Sequence, residues 1–103
     1  MGTFFNEYQE RIKPTELWPK TMGPSYPIIG LSGEVGEVAN EIKKMYRDDC
    51  GELTYKRKQK IIEEMGDVLW YLASLASSLH LELENIAQVS LNKVENRIWE
   101  KKQ

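Results

Sequence analysis

The chain has 103 residues, 41% of them hydrophobic and 29% charged, and a formal net charge of −2. That composition belongs to one small globular domain, expected over residues 1–103, and excludes disordered and fibrous classes. The acidic balance argues against a nucleic-acid binder that works through a basic surface, and a core this small makes oligomerisation a standing expectation.

Phe4, Phe5, Tyr8 and Ile12 share one helical face, predicting a first helix over 3–12 with Thr3 as its cap. The segment carries Glu7, Glu10 and Arg11 and lacks an apolar signal core. Residues 13–25 hold Pro14, Pro19, Gly23 and Pro24 and read as an irregular loop bearing Trp18 and Met22. A second helix is expected from Pro27, a residue suited to a first helical position, to Asp48. Its apolar stripe is Leu31, Val35, Val38, Ile42 and Met45. Asp48 to Thr54 is a connector that turns at Gly51, and its one cysteine, Cys50, allows no intrachain disulfide and fits a reducing, cytoplasmic setting. Thr54 is placed to cap a third helix, Tyr55 to His80, striped by Ile61, Met65, Val68, Leu72, Leu75 and Leu79. Its longest apolar-rich stretch, Val68 to Leu79, is too short and too interrupted by serine to span a bilayer. A second apolar face, Ile62, Leu69, Trp70, Ala73 and Ala76, wraps the other side. One small subunit can hardly cover so much apolar surface, which predicts a subunit interface with Trp70 packed in it. The fourth helix, Leu83 to Lys101, has a weaker stripe of Ile86, Val89 or Ser90, Val94 and Ile98. Glu82 and Glu84 at its start and Arg97, Lys101 and Lys102 at its end suit the helix dipole. No run has strand period, so the fold class is all-α, of four-helix-bundle type and completed by oligomerisation.

A five-residue phrase occurs twice in these helices. Glu34-Val35-Gly36-Glu37-Val38 is followed thirty positions later by Glu64-Met65-Gly66-Asp67-Val68. Residues three apart are neighbours on a helix, so each copy makes a side-by-side acidic pair. Glu34, Glu37 and Glu41 run along one edge of their apolar stripe, and Glu64, Asp67 and Tyr71 along the matching edge of theirs. The residues four positions on are Val38, Glu41, Val68 and Tyr71, so no intrahelical salt bridge neutralises any of the four acids. Four carboxylates brought together repel one another unless a cation intervenes. A hard divalent ion is the natural resolution, and Mg²⁺ holding a phosphate chain is the common case, with Mn²⁺ a possible substitute. The residues therefore predict a Mg²⁺-dependent enzyme acting on a nucleoside triphosphate. Trp18 either packs back onto the core or walls the base-binding pocket. Tyr71 lines that pocket or the core. Lys43 and Lys44 are candidates for phosphate contact, whereas Lys56, Arg57, Lys58 and Lys60 read as a solvated face and His80 as structural. Gly36 and Gly66 each cost roughly 0.5–1 kcal/mol inside a helix; their matched placement points to close backbone approach or to room for something bulky.

The pattern Glu34-x-x-Glu37, then Glu64-x-x-Asp67 after 26 intervening residues, resembles the signature of the all-helical nucleotide pyrophosphohydrolases, the MazG family. Gly30 to Val38 with Ile42-Lys43-Lys44 and Arg47-Asp48 is similar to that family's first metal helix. Glu64 to Ala73 is similar to its second, and Asn92-Lys93 with Arg97 to its basic motif, with Val94 where leucine is more usual. The resemblance implies hydrolysis of a (deoxy)nucleoside triphosphate between its α- and β-phosphates, in nucleotide-pool control or house-cleaning. It implies a dimer or a dimer of dimers, with Glu34, Glu37, Glu64 and Asp67 holding Mg²⁺. Lys93 and Arg97 would reach the phosphates and Asn92 the nucleoside or a phosphate. A carboxylate beside the metal can take the proton of the attacking water, and Glu34 and Glu37 are both candidates. A di-iron bundle would need Glu-x-x-His motifs that are absent. Phosphoribosyl-ATP pyrophosphohydrolase shares the metal plan, but Leu69-Trp70-Tyr71 and the basic motif fit it less well. A non-enzymatic helical interaction module would need no matched acidic pairs.

Overall fold

The computed structural model describes residues 2–102 and contains no strand among them. Met1 and Gln103, both within the expected domain, lie outside the described residues. The helices are α1 (Phe4–Ile12), α2 (Ser25–Asp48), α3 (Tyr55–Ser78) and α4 (Leu83–Lys101). The loop between α1 and α2 is firmer than its prolines suggest, because Lys13–Thr15 and Lys20–Met22 form single 3₁₀ turns.

Local chemistry sets the helix ends. Thr3 and Thr54 each accept a hydrogen bond at 3.2 Å, from the Asn6 and Arg57 backbone N–H groups respectively, satisfying donors the first turn leaves unpaired. α2 starts at Ser25, so Pro27 is its third residue and not its first. The position still lies in the first turn, where a missing N–H costs no helical bond. α2 closes where Gly51 N–H returns to the Met45 carbonyl at 3.1 Å, with Cys50 and Gly51 at φ +56° and +76°. α3 stops at Ser78, two residues before the expected end. Leu81 N–H bonds to the Ala76 carbonyl at 2.8 Å and His80 takes φ +58°, a left-handed closure of the kind glycine usually makes.

α2 and α3 form an antiparallel hairpin, with Gly30 against Tyr71 near its open end and Glu41 against Arg57 near its tip. α1 crosses the C-terminal half of α3. Ile12, Ala73 and Leu83 are buried there, ringed by Tyr8, Leu69, Trp70 and Leu72. The second apolar face of α3 is thus covered in part by the chain's own α1. Trp70, half-buried, takes part in this internal packing: its Nε1 donates to Thr15 Oγ1 at 2.9 Å, and its ring meets Tyr71 edge-on at 4.9 Å. Ile62, at the other end of the same face, is half exposed.

The remaining apolar surface is large. Val35, Ile62 and Met65 on the hairpin, and Val94, Ile98 and Trp99 on α4, are open. The accessible surface is 7705 Å², where a compact monomer of 12.0 kDa would expose about 6,000 Å². The radius of gyration is 16.8 Å, against about 13 Å for a compact chain of this length.

One buried side chain ties the helices to one another. Gln9 on α1 donates to Ser77 Oγ at 3.0 Å and to the Leu81 carbonyl at 2.8 Å, and it accepts from Leu83 N–H at 2.8 Å. It thereby sets where α4 leaves the body. Replacing it with alanine strands a buried N–H and a carbonyl, so Gln9→Ala is expected to lower unfolding free energy by about 1–3 kcal/mol, measured by urea denaturation followed by circular dichroism.

Candidate metal centre

Pairing α2 with α3 brings three of the four predicted ligands together. Glu34 from α2 and Glu64 and Asp67 from α3 each offer a carboxylate oxygen, and these oxygens lie within 4.8 Å of one another. Glu34 and Glu64 are half-buried and Asp67 is exposed. The Glu34 carboxyl is held above its ordinary value, chiefly by burial, then by the charges of Asp67 and Glu64, a hydrogen bond with Glu64, and Glu37. The fourth acid, Glu37, is exposed and stands outside the group. Among the described residues, none of the four carboxylates forms a salt bridge.

The donor set fits a small hard cation. Octahedral Mg²⁺ with oxygens at 2.0–2.1 Å separates adjacent ligands by about 3 Å and opposite ones by about 4.2 Å. Three converging carboxylate oxygens reach that geometry with small rotations of flexible side chains, leaving further positions for phosphate oxygens and water.

Aromatic side chains border the acids. Burial, then Tyr26 and the charges of Glu34 and Asp67, raise the pKa of the Tyr71 hydroxyl, and its ring lies against Gly30, one turn from Glu34. Burial and Asp67 do the same to Tyr8 on α1. Trp18 stacks on Tyr26 with centroids 5.2 Å apart and planes 13° from parallel. The wall therefore runs from Trp18 through Tyr26 to Tyr71 and ends at the acids. Trp18 thus packs back on the chain through Tyr26.

Tyr26 and Tyr8 escape the sequence reading. Tyr26 did leave a signal, since Tyr26, Gly30 and Glu34 step by four along one face of α2. Tyr8 left none, because only the crossing of α1 over α3 brings it near Asp67. Gly30 also carries a constraint the sequence does not reveal: an added Cβ would fall inside the Tyr71 ring. A Cβ added at Gly36 or Gly66 would meet no atom within 4 Å beyond its own helix, so both face open space. The expected close backbone approach at these two glycines is therefore absent within the chain.

Other predicted residues stand apart. Lys44 Nζ lies 3.5 Å from Glu41, at the hairpin tip, and ten residues from Glu34, about 15 Å along the helix axis. Arg57 is not part of a solvated face. Its guanidinium donates at 2.8 Å to both Glu41 and Asp49, and its side chain is only 17% exposed. This network holds the Glu41 carboxyl below the usual carboxylate range, Arg57 being the main cause. Glu41 is thus structural although it shares an edge with Glu34 and Glu37. Asn92, Lys93 and Arg97 are exposed on the outer half of α4. Since α4 packs chiefly on α1, one chain does not bring these three to the acids.

These features define an all-helical protein that presents carboxylates from two antiparallel helices, a site suited to a divalent cation, with an aromatic wall beside it. A family model described as the MazG nucleotide pyrophosphohydrolase domain matches residues 25–100. The span runs from the first residue of α2 almost to the end of α4, and the chain belongs to that family. The Gene 37 protein of Mycobacterium phage L5 is 38% identical over 96 residues, covering 87% of this chain and 84% of its own. No solved structure matches the chain.

Two outcomes follow from this geometry. Gly30→Ala should destabilise by about 1–3 kcal/mol through overpacking against Tyr71, and Gly30→Ala with Tyr71→Ala should cost less than the sum of the single changes, as read by denaturant melts. The second concerns pH. The raised Glu34 carboxyl favours folding when protonated, a contribution fully present below the ordinary value of 4.5 and lost as pH rises through the higher folded value. In EDTA, the Tm advantage of Glu34→Gln over wild type should therefore grow as pH is raised from 4 to neutrality.

Proposed function

We propose that the protein hydrolyses a nucleoside triphosphate between the α- and β-phosphates, releasing the monophosphate and pyrophosphate, with Mg²⁺ as cofactor and Mn²⁺ as a substitute. The observation that carries this reading is the convergence of Glu34, Glu64 and Asp67 within 4.8 Å without a cationic partner, in a chain of the MazG family. Glu34, Glu64 and Asp67 hold the metal, and Glu37, one turn from Glu34, completes the set or stands beside it. What the bound ion supplies is neutralisation of the phosphate oxygens and a lowered pKa for a water. Glu37, exposed and outside the converging group, is the better placed of the two candidate bases to accept the water's proton. Tyr71, Tyr26 and Trp18 offer aromatic faces to the nucleoside. Nucleotide-pool control follows as the role, with the whole chain acting as one domain away from membrane and nucleic acid, in the cytoplasm.

The same reading requires a homodimer or homotetramer. The chain exposes roughly 1,700 Å² more than a compact monomer of its mass would, a surplus of the size that obligate interfaces bury on each partner. The open apolar residues of α2, α3 and α4 give that interface its surface. Assembly also gives Asn92, Lys93 and Arg97 a route to the phosphates of a site, where Lys and Arg stabilise developing charge. Lys44 is kept as a candidate for the outer phosphates once its contact with Glu41 loosens.

Three measurements test this. Glu64→Gln should abolish hydrolysis with helical content unchanged, and turnover above a tenth of wild type would exclude the metal assignment. EDTA should abolish activity and Mg²⁺ or Mn²⁺ restore it, with monophosphate and pyrophosphate as the separated products; release of orthophosphate would mean a different bond is cut. Sedimentation at micromolar concentration should give at least twice the chain mass.

A further inference from the structure

The α3 edge that carries Glu64, Asp67 and Tyr71 continues one turn further to Ser74. Ser74 is fully buried, and its hydroxyl donates to Glu16 Oε2 at 2.5 Å. The Glu16 side chain is only 7% exposed and also pairs with Lys20 at 3.0 Å. Lys20 Nζ in turn stands 3.9 Å from the centroid of the Trp18 ring, within cation–π range. Trp18 stacks on Tyr26, which stands on α2 one turn before Gly30, the residue against the Tyr71 ring. The contacts thus form a chain that leaves α3 at Ser74 and reaches α2 at Tyr26.

Two further observations give this chain of contacts a purpose beyond holding a loop down. Thr15 already anchors the loop through Trp70, so the second anchor at Glu16 is not needed for attachment alone. The indole Nε1 of Trp18 is buried without a hydrogen-bond partner, a cost that a freely moving ring would relieve by turning. A cavity bordered by Glu16, Trp18, Lys20 and Ser74 lies beside the ring and gives it space to turn. The ring stays because Lys20 and Tyr26 hold it.

We propose that Glu16 is a positioning residue: through Ser74 and Lys20 it clamps the Trp18–Tyr26 stack at the angle at which the planar base of a nucleotide meets it. This rests on the proposed nucleotide hydrolase. Glu16 touches neither substrate nor metal and acts only on where the aromatic wall stands. Its loss therefore weakens recognition of the base and leaves the phosphate chemistry intact.

The test uses the full chain with Glu16→Gln, which keeps the side chain's shape and removes its charge. The near-ultraviolet circular dichroism of the ligand-free protein should change as the Trp18–Tyr26 stack relaxes. With the preferred nucleoside triphosphate, KM should rise about tenfold, the equivalent of one charge-assisted contact of about 1.4 kcal/mol, while kcat stays within about twofold. Inhibition by the monophosphate product should weaken by a similar factor and inhibition by pyrophosphate should not change. Glu16→Asp should recover part of the loss. If Glu16→Gln does not fold, Lys20→Ala, on an exposed cation, should raise KM in the same direction. An unchanged near-ultraviolet spectrum overturns the clamp. A changed spectrum with unchanged KM, or equal weakening of monophosphate and pyrophosphate, overturns the positioning role. If the wild type hydrolyses no nucleotide, the functional reading fails, while the spectrum still decides whether the clamp exists.

Discussion

Glu34, Glu64 and Asp67 repel one another, and the helix hairpin holds them together all the same. The register of α2 on α3 does this from both ends. At the tip, Arg57 bridges Glu41 and Asp49 in a partly buried network. At the open end, Gly30 lets the Tyr71 ring lie against the α2 backbone. Slipping the hairpin by one residue would rotate every acid off the shared edge, because side-chain direction turns by about 100° per residue. The raised Glu34 carboxyl records the resulting tension. Active sites commonly hold groups in unfavourable proximity that a bound ligand then relieves.

Around this hairpin the chain arranges two kinds of support. One is the small core of Ile12, Ala73 and Leu83, pinned by Gln9, which fixes α1 on α3 and brings Tyr8 close to Asp67. The other is the loop of residues 13–25, fastened at Thr15 and Glu16, which carries Trp18 to the aromatic end of the site. Both act on the C-terminal half of α3. The acids Glu64 and Asp67 sit near the middle of α3, the first half-buried and the second exposed.

The open faces of α2, α3 and α4 belong to the same logic. A chain of this size cannot bury all the apolar residues of four helices by itself. The outer half of α4 is among the parts left without cover, and it bears Asn92, Lys93 and Arg97. Within one chain these cations stay apart from the acids, none of which forms a salt bridge among the described residues.

Much of this was legible in the residues. Apolar spacing marked all four helices to within two residues, because burial of one face and capping by Thr3 and Thr54 are local properties. The doubled acidic phrase marked Glu34, Glu64 and Asp67, because residues three apart share a helix face whatever the tertiary context. Other features depended on contacts between elements distant in sequence. Arg57 read as a solvated cation until the hairpin set it against Glu41, sixteen residues away. Gly36 and Gly66 drew notice by repetition, yet the glycine under constraint is Gly30, whose partner Tyr71 lies forty-one positions on. Trp70 read as an interface residue, and the fold gives it partners within the chain as well, Thr15 and Tyr71. The sequence by itself determined which faces are apolar and which edges are acidic, since both follow from periodicity along one helix. Only the tertiary structure decided which of those edges meet, which cations are spent on structure, and where the aromatic wall stands, because each of these depends on the register and crossing of helices that no single segment encodes.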